Sequence, residues 1–235
     1  MTHSHSVSPR RRGLASAFAL GSLAAAAVAS AQTPRLDRPA ELRAINVEAV
    51  TGRYLGRAAL RLVDKESASP AAGGEKLAIM PGTEFEDGAI EDDVAGLIAK
   101  DASADARGFV GVAFDVLPDG SRFKSFYLRP SNARALDQLR RNHTTQFVSI
   151  PEFPWYTLRE KEAGVYESYV DLDPVAWIRM RIVVDGGKAS LYVNGAEQPC
   201  LIVNDLKHAA RGGAIALWIG AGTEAYFSNL RIERR

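Results

Sequence analysis

Cysteine and histidine are scarce in this 235-residue sequence, which contains one cysteine and four histidines. A single cysteine cannot form an intrachain disulfide, and one cysteine together with His143 and His208, the two histidines after residue 31, does not supply a Cys/His zinc site. The cysteine, Cys200, lies in the apolar segment QPCLIV. That setting favours a small buried hydrophobic residue over a reactive thiol.

Long apolar runs are also missing, except at the amino terminus. The basic cluster Arg10–Arg12 is followed by an apolar run from Leu14 to Ala29, which ends in Ala-Ser-Ala. This order is typical of a secretory signal peptide cleaved after Ala31, and the run is too short to favour a membrane span. We therefore expect residues 1–31 to be removed and the mature chain, without a membrane span, to be periplasmic or extracellular. The consecutive arginines leave both the Sec and the twin-arginine routes open.

Basic residues are not in excess once this leader is removed. The full sequence has 29 basic and 28 acidic residues, and the leader holds three of the basic ones and no acid, so the mature net charge is about −2. No basic stripe or ladder of arginines and aromatics is present to bind phosphates. The sequence thus predicts no nucleic-acid partner.

Helical periodicity is weak throughout residues 32–235, where short strand-like segments alternate with turn signals such as Asp185-Gly186-Gly187 and Asn194-Gly195. Only Ala133–Arg141 suggests one or two helical turns, and Ser67–Gly74 suggests a flexible link. We predict a single all-β domain, a two-sheet antiparallel jelly-roll sandwich. The predicted strands are Leu42–Val50, Gly56–Val63, Lys76–Met80, Gly88–Ile98, Gly108–Val116, Ser125–Arg129, Val165–Asp171, Trp177–Asp185, Lys188–Val193, Cys200–Val203, Gly213–Ile219 and Ala225–Glu233.

The predicted hairpin RMRIVVDGGKASLYVNG shows the clearest alternation in the chain. Apolar Met180, Ile182 and Val184 alternate with residues that include two arginines, so one face of the hairpin is expected in the core. Trp177 opens this hairpin and Trp218 lies in GAIALWIG. We interpret both tryptophans as core or edge packing.

Several segments carry a family resemblance. FEDGAIEDDV, GFVGVAFDV, SFYLRP, AWIRMRIVVDGGKASLYVNGAEQPCLIVNDL and GGAIALWIGAGTEAYFSNLRI follow the strand order of LamG-like members of the concanavalin A-like lectin/glucanase superfamily. More narrowly, they resemble secreted bacterial domains of the 3-keto-disaccharide hydrolase-like family. The resemblance covers residues 42–232. It implies a concanavalin A-like sandwich with a concave face on which relatives bind or cleave saccharides, although a fold alone does not give a function.

Catalytic candidates are few. Family 16 glucanases of that superfamily carry E-x-D-x-E on one strand, and this sequence has no such motif. Glu91 and Asp93 share one face of a predicted strand about 7 Å apart, which suits acid/base work if one carboxyl is desolvated. The alternatives are a solvated acidic strand or ligands of a structural cation. His143 is the third candidate.

No cofactor is expected from the residues present. A structural calcium ion, which many sandwiches of this kind carry, needs carboxylates and loop carbonyls around the ion. No Asp/Asn loop signature stands out in the sequence.

The least regular segment is NHTTQFVSIPEFPWYTLRE, within a connection that spans residues 131–164. Connections of this length without regular structure are uncommon and usually functional. We expect this one to border the concave face. It brings flat aromatic rings and hydrogen-bonding groups, which sugar recognition requires. The predicted ligand-binding residues are Arg129, Asn132, His143, Gln146, Trp155, Tyr156, Arg159, Glu167 and Tyr169.

Each of these residues has a structural alternative. In these alternatives Trp155 only pins the connection to the sandwich, His143 is exposed or has a capping role, and Arg129 clamps Glu152, Glu167 or another carboxylate. Three functions therefore stay open. They are a secreted lectin-like protein with a saccharide or glycan partner, a glycan-cleaving hydrolase or lyase, and an envelope structural or protein-interaction domain.

Overall fold

The computed structural model describes residues 1–3, 30–65, 74–208 and 212–235. Residues 4–29 of the predicted leader, and residues 67–73 of the predicted flexible link, lie outside the described residues. Within the described ranges, no helix is long and apolar enough to cross a membrane.

The described chain is built mainly of short strands. They are β1 (Ser30–Gln32), β2 (Arg43–Ile45), β3 (Val47–Tyr54), β4 (Arg57–Asp64), β5 (Lys76–Phe85), β6 (Gly88–Ile98), β7 (Val110–Val116), β8 (Phe123–Leu128), β9 (Thr145–Ile150), β10 (Glu167–Ser168), β11 (Ile178–Asp185), β12 (Lys188–Val193), β13 (Leu201–Val203), β14 (Gly213–Ile219) and β15 (Thr223–Arg234). The helices are α1 (Gln138–Asn142) and α2 (Trp155–Lys161), with 3-10 turns at Pro39–Glu41 and Pro130–Asn132.

These strands form two antiparallel sheets. In the described ranges, the eight-stranded sheet has the order β13-β12-β11-β6-β15-β4-β3, with β1 also paired to β15. The seven-stranded sheet has the order β10-β9-β8-β7-β14-β5-β2. The all-β, two-sheet antiparallel sandwich predicted from the sequence is therefore confirmed.

The core lies between the two sheets and follows from period-2 alternation. In β11, the side chains of Ile178, Met180, Ile182 and Val184 are buried, whereas Arg179 is exposed. The predicted alternation of the hairpin is confirmed. Burying one such side chain contributes about 1.5–3 kcal/mol, so the regular repeat fixes which face of each strand points inward.

Asn46 corrects the predicted strand Leu42–Val50. Asn46 has a φ of +53°, which an extended strand does not tolerate, and the chain changes sheets there. The residues before it form β2 in the seven-stranded sheet, and those after it form β3 in the eight-stranded sheet.

The connection 131–164 is more regular than the sequence suggested. It contains β9, which lies between β8 and β10, and the helix α2. Phe147 of β9 lies in the core, and Gln146 and Val148 on the opposite face are also buried. Because both faces are covered, β9 lacks the alternation that marks a half-exposed strand. The predicted strand Val165–Asp171 is reduced to β10.

Cys200 packs against the core, and its thiol donates a hydrogen bond to the backbone oxygen of Leu191 at 3.4 Å. Burial raises the pKa of Cys200 to about 11. These features agree with the packing role expected from its apolar segment.

Asp92 is an exception to the apolar core. It lies on β6 between the buried residues Ile90 and Val94 and is 1% exposed. Neither carboxyl oxygen has a hydrogen-bond partner among the described residues. Burial, with a smaller contribution from the charge of Asp93, raises the pKa of Asp92 well above its ordinary value of 3.8.

We expect Asp92→Asn to stabilise the protein increasingly as the pH rises. Below pH 3.8 the carboxyl is protonated in both the folded and the unfolded chain, so its ionisation costs nothing. Above that pH the unfolded chain releases the proton while the folded chain keeps it, and the free energy of unfolding falls until the pH passes the folded pKa. Urea denaturation should show wild type losing at least about 1 kcal/mol relative to the variant between pH 4 and pH 6.

Asp93→Asn provides the matched control. Asp93 forms ion pairs with Arg57 at 2.7 Å and Arg179 at 3.1 Å, so this change should lower stability instead of raising it. Parallel pH profiles for wild type and Asp92→Asn would contradict the argument.

Candidate functional site

The outer face of the seven-stranded sheet carries one continuous row of residues. The strand registers place directly opposite neighbours in a line across the whole sheet. From one edge to the other, the row is Ile45, Leu77, Trp218, Gly111, Tyr127, Gln146 and Glu167.

The centre of this row is aromatic because Gly111 has no side chain. The rings of Tyr127 and Trp218, on the two strands beside it, meet at a centroid distance of 4.5 Å. A Cβ atom at Gly111 would lie only 2.5 Å from the Cβ of Tyr127. The indole Nε1 of Trp218 donates to Glu75 Oε2 at 2.9 Å, and burial raises the pKa of Glu75. Gly111 therefore leaves the space in which the two rings meet, and the hydrogen bond to Glu75 fixes the indole of Trp218.

The helix α2 forms a wall beside this row. Arg159 of α2 binds Glu167 of β10, with NH2 to Oε2 at 2.6 Å and Nε to Oε1 at 3.1 Å. Leu158, the preceding residue, is buried in the core. One apolar anchor and one bidentate ion pair thus fix the helix against the edge of the sheet.

His143, the residue after α1, approaches the same carboxylate. Its Nε2 lies 3.2 Å from Glu167 Oε1. Burial lowers the pKa of His143, the carboxylate of Glu167 opposes this by raising it, and the charges of Arg159 and Arg129 lower it further. The net direction is downward, which favours a neutral imidazole able to exchange hydrogen bonds.

Arg129 lies beneath these groups and is 6% exposed. Its guanidinium donates to the backbone oxygen of His143 at 2.9 Å, the hydroxyl of Tyr127 at 2.9 Å and Gln146 Oε1 at 3.3 Å. It also lies over the Tyr127 ring, 4.9 Å from the centroid. Burial lowers the pKa of Arg129.

Two adjoining cavities open above these residues and share Trp155. The polar cavity, of about 450 Å³, is lined by Asp105, Arg107, Phe109, Arg129, Asn132, Arg140, His143, Trp155 and Arg159. The aromatic cavity, of about 310 Å³, is lined by Glu75, Tyr127, Val148, Ile150, Pro151, Pro154, Trp155, Tyr156 and Trp218. Trp155 is 43% exposed, and the guanidinium of Arg159 lies 4.8 Å from its ring centroid.

The structure brings most of the predicted ligand-binding residues together. Five of them line the polar cavity: Arg129, Asn132, His143, Trp155 and Arg159. Two more, Gln146 and Glu167, lie on the sheet, where Gln146 accepts a hydrogen bond from Arg129 and Glu167 pairs with Arg159. Tyr156 lines the aromatic cavity. Tyr169 lines neither cavity, because its hydroxyl pairs with Arg141 at 2.9 Å.

The ion pair with a carboxylate that the sequence suggested for Arg129 is made by Arg159, which binds Glu167. The sequence analysis also missed several lining residues: Tyr127, Phe109, Arg107 and Arg140. Trp218 was interpreted as packing only, and it both packs on Tyr127 and lines the aromatic cavity. The alternation of buried Leu217 and Ile219 around Trp218 was the signal that its ring faces away from the core.

The three catalytic candidates do not converge. Glu91 and Asp93 lie on β6 in the eight-stranded sheet, whereas His143 lies beside the seven-stranded sheet. Glu91 pairs with Arg181 at 3.0 Å, and Asp93 is held by two arginines and by Asn229 Nδ2 at 2.7 Å. Both carboxylates of the suggested acid/base pair are thus engaged in ion pairs, that of Glu91 half-exposed and that of Asp93 buried. Among the described residues, no group of three or more His, Cys, Asp or Glu is placed to hold a metal ion.

Comparisons with known proteins show similarity at the level of the fold. No protein-family model and no curated protein sequence matches this chain. Among solved structures, it is similar to the carbohydrate-binding module CBM66 from Bacillus subtilis, with 10% identity, a TM-score of 0.54, and coverage of 82% of this chain and 95% of the module. A Bacillus subtilis protein of unknown function with a galectin-like fold is 15% identical, with a TM-score of 0.49 and coverage of 83% and 91%. The first similarity shows a jelly-roll sandwich.

We expect Glu167→Gln to lower the pKa of His143 further. The carboxylate of Glu167 raises that pKa, and without it only the smaller effect of Asp137 opposes burial and the charges of Arg159 and Arg129. An NMR titration of the His143 ring protons measures the shift. The control is Glu91→Gln on the other sheet, which should leave the His143 curve unchanged. A Glu167→Gln curve that coincides with wild type would refute the coupling.

Proposed function

We propose that this chain is an exported protein that binds a saccharide on the outer face of its seven-stranded sheet. The observation that carries the proposal is the adjacency of an aromatic-lined cavity and a polar cavity that share the ring of Trp155. The similarity in fold to a carbohydrate-binding module supports it.

The aromatic cavity supplies surfaces for the apolar face of a sugar ring. Carbohydrates present C–H groups on one face of a pyranose, and aromatic rings pack against such faces. Trp155 and Tyr156 are exposed at the edge of this cavity, while Tyr127 and Trp218 line its floor. Exposed rings next to a preformed pocket are typical of small-ligand sites.

The polar cavity supplies the hydrogen bonds that a saccharide needs. Asn132 is 4% exposed, and its Nδ2 donates to the backbone oxygen of His143 at 3.3 Å. Its Oδ1 has no hydrogen-bond partner among the described residues. A buried acceptor without a partner costs free energy, and a small shift of the Asn132 amide toward the cavity that it lines would let a sugar hydroxyl donate to it and remove that cost.

The finer assignment is part of this proposal. The strand order and the hairpin of β11 and β12 support kinship with LamG-like, concanavalin A-like domains of the 3-keto-disaccharide hydrolase-like type. The leader pattern in residues 1–31 supports a periplasmic or extracellular location.

Trp155→Ala should weaken saccharide binding by about tenfold, which corresponds to about 1.4 kcal/mol. A glycan array identifies a binding oligosaccharide, and isothermal titration calorimetry then measures its affinity for both proteins. Trp177→Ala is the matched control. Trp177 also has an arginine over its ring, with Arg57 at 4.7 Å from the centroid, but it lies at the eight-stranded sheet.

The control variant should bind like wild type. Equal affinity of wild type and Trp155→Ala for every oligosaccharide found on the array would remove the site from this face. Absence of any bound oligosaccharide would refute the proposed function itself.

A glycan-cleaving activity on the same surface is the second candidate function. The observation that favours it is the contact of 3.2 Å between His143 and Glu167 at the polar cavity, because a base oriented by a carboxylate is a common arrangement for proton transfer. Release of reducing ends from the oligosaccharides that bind should fall at least about a hundredfold in His143→Gln, given the usual contribution of general acid–base catalysis. Binding without any release by wild type would dismiss this candidate.

A further inference from the structure

We infer that the saccharide bound in the polar cavity carries an anionic group, a carboxylate or a sulfate ester, and that Arg129 is its main partner. This inference rests on the proposed function, because it names the class of ligand for the same site.

Arg129 is a buried charge that lacks an opposite charge. No carboxylate lies within ion-pair distance of it in the described part of the chain, and its three hydrogen bonds all go to neutral acceptors. Charged side chains are rarely buried without an ionic partner, because desolvation of the charge is costly. An anion in the cavity would supply the missing partner.

The guanidinium of Arg129 also has N–H donors that its three hydrogen bonds do not use. It carries five N–H groups in a planar fork. Three of them are used, one to the backbone oxygen of His143, one to Tyr127 and one to Gln146. The remaining donors suit the oxygens of a carboxylate or sulfate, which arginine binds with charge-assisted hydrogen bonds.

The lining of the cavity has an excess of positive charge. Four arginines line it, namely Arg107, Arg129, Arg140 and Arg159, and the one acidic lining residue is Asp105. The side chain of Asp105 is fully exposed, so water screens its charge. Glu167 lies behind the lining and is already bound by Arg159. Even with both acids counted, the cationic groups outnumber the anionic ones, and a recessed cavity concentrates the resulting field.

The neighbouring groups fit an acidic sugar better than a free anion. Asn132 lines the same cavity, and its amide oxygen accepts hydrogen bonds and repels an anionic oxygen, so a hydroxyl beside the charged group suits it better than a second anionic oxygen. The aromatic cavity next to it provides the surface for the sugar ring. A charged group, a hydroxyl and an apolar ring face occur together in uronic acids and in sulfated sugars.

The experiment compares four matched probes by isothermal titration calorimetry. These are oligosaccharides of galacturonic acid, the same oligosaccharides as methyl esters, neutral galactose oligosaccharides, and sulfated galactose oligosaccharides. Loss of one charge-assisted interaction corresponds to roughly a tenfold to hundredfold loss of affinity. We expect at least one charged probe to bind that much more tightly than the neutral galactose oligosaccharides. If the galacturonic acid probe binds, esterification should cost the same factor, and the sulfated probe distinguishes a sulfate ligand from a carboxylate.

Two variants test the assignment to Arg129. Arg129→Met keeps the length of the side chain and removes its charge, and should reduce the preference for charged over neutral probes at least about tenfold. Because Arg129 is buried, Arg140→Gln at the exposed side of the cavity is measured as well and should reduce the preference less strongly. Arg181→Gln, on the eight-stranded sheet, is the control and should keep it. Raising the salt concentration from 20 to 200 mM should weaken binding of the charged probe in wild type.

The outcomes separate this inference from the proposed function. Equal binding of charged and neutral probes, or tighter binding of neutral ones, would overturn the inference and leave saccharide binding intact. An unchanged preference in a folded Arg129→Met, or in Arg140→Gln if Arg129→Met does not fold, would overturn it too. If none of the four probes binds, but other neutral glycans on the array do, the inference fails alone. If no glycan binds at all, the proposed function fails with it.

Discussion

The bidentate ion pair between Arg159 and Glu167 joins the helix α2 to the edge of the seven-stranded sheet, and the geometry of the site depends on it. Glu167 also contacts His143, so a single carboxylate positions groups on two sides of the polar cavity. Glu167 is buried while the side chain of Arg159 is 31% exposed, so removing Arg159 would leave a buried carboxylate without its main counter-charge, which is more costly than losing a surface pair. The positions of helix α2 and of the His143 imidazole, and with them the shape of the polar cavity, therefore all depend on Glu167.

Both faces of the seven-stranded sheet carry buried apolar side chains, and a ligand can bind only where the outer face is left uncovered. One face packs against the other sheet, while part of the outer face is covered by a second apolar cluster that includes Leu77, Ile79 and Phe123. The uncovered part begins where the row of outward residues turns aromatic at Tyr127 and Trp218. The aromatic cavity adjoins this cluster through Ile150 and Trp218, and the polar cavity continues from it at Trp155.

The fold was predictable from two signals: the hairpin of β11 and β12 shows a clear period of two, and β7, although buried on both faces, is a short apolar run. Strand β9 was missed because Thr145, Gln146 and Ser149 are polar although they are buried, so the segment shows neither alternation nor an apolar run. Local sequence placed Trp155 and His143 in the right region. It did not show that Arg159 binds Glu167, since that pairing depends on how α2 folds back on the sheet. Likewise, Glu91 and Asp93 share a face as expected, but their arginine partners come from strands distant in sequence.

The environment of Cys200 has a consequence for the reactivity of its thiol. Its pKa of about 11 leaves only about one thiol in ten thousand ionised at neutral pH, and the thiolate is the form that attacks disulfides and oxidants. If the chain is exported to an oxidising compartment, as we propose, a reactive lone cysteine would form covalent dimers and mixed disulfides. The raised pKa and the contact of the sulfur with the backbone oxygen of Leu191 would slow such reactions, because they keep the thiolate fraction low.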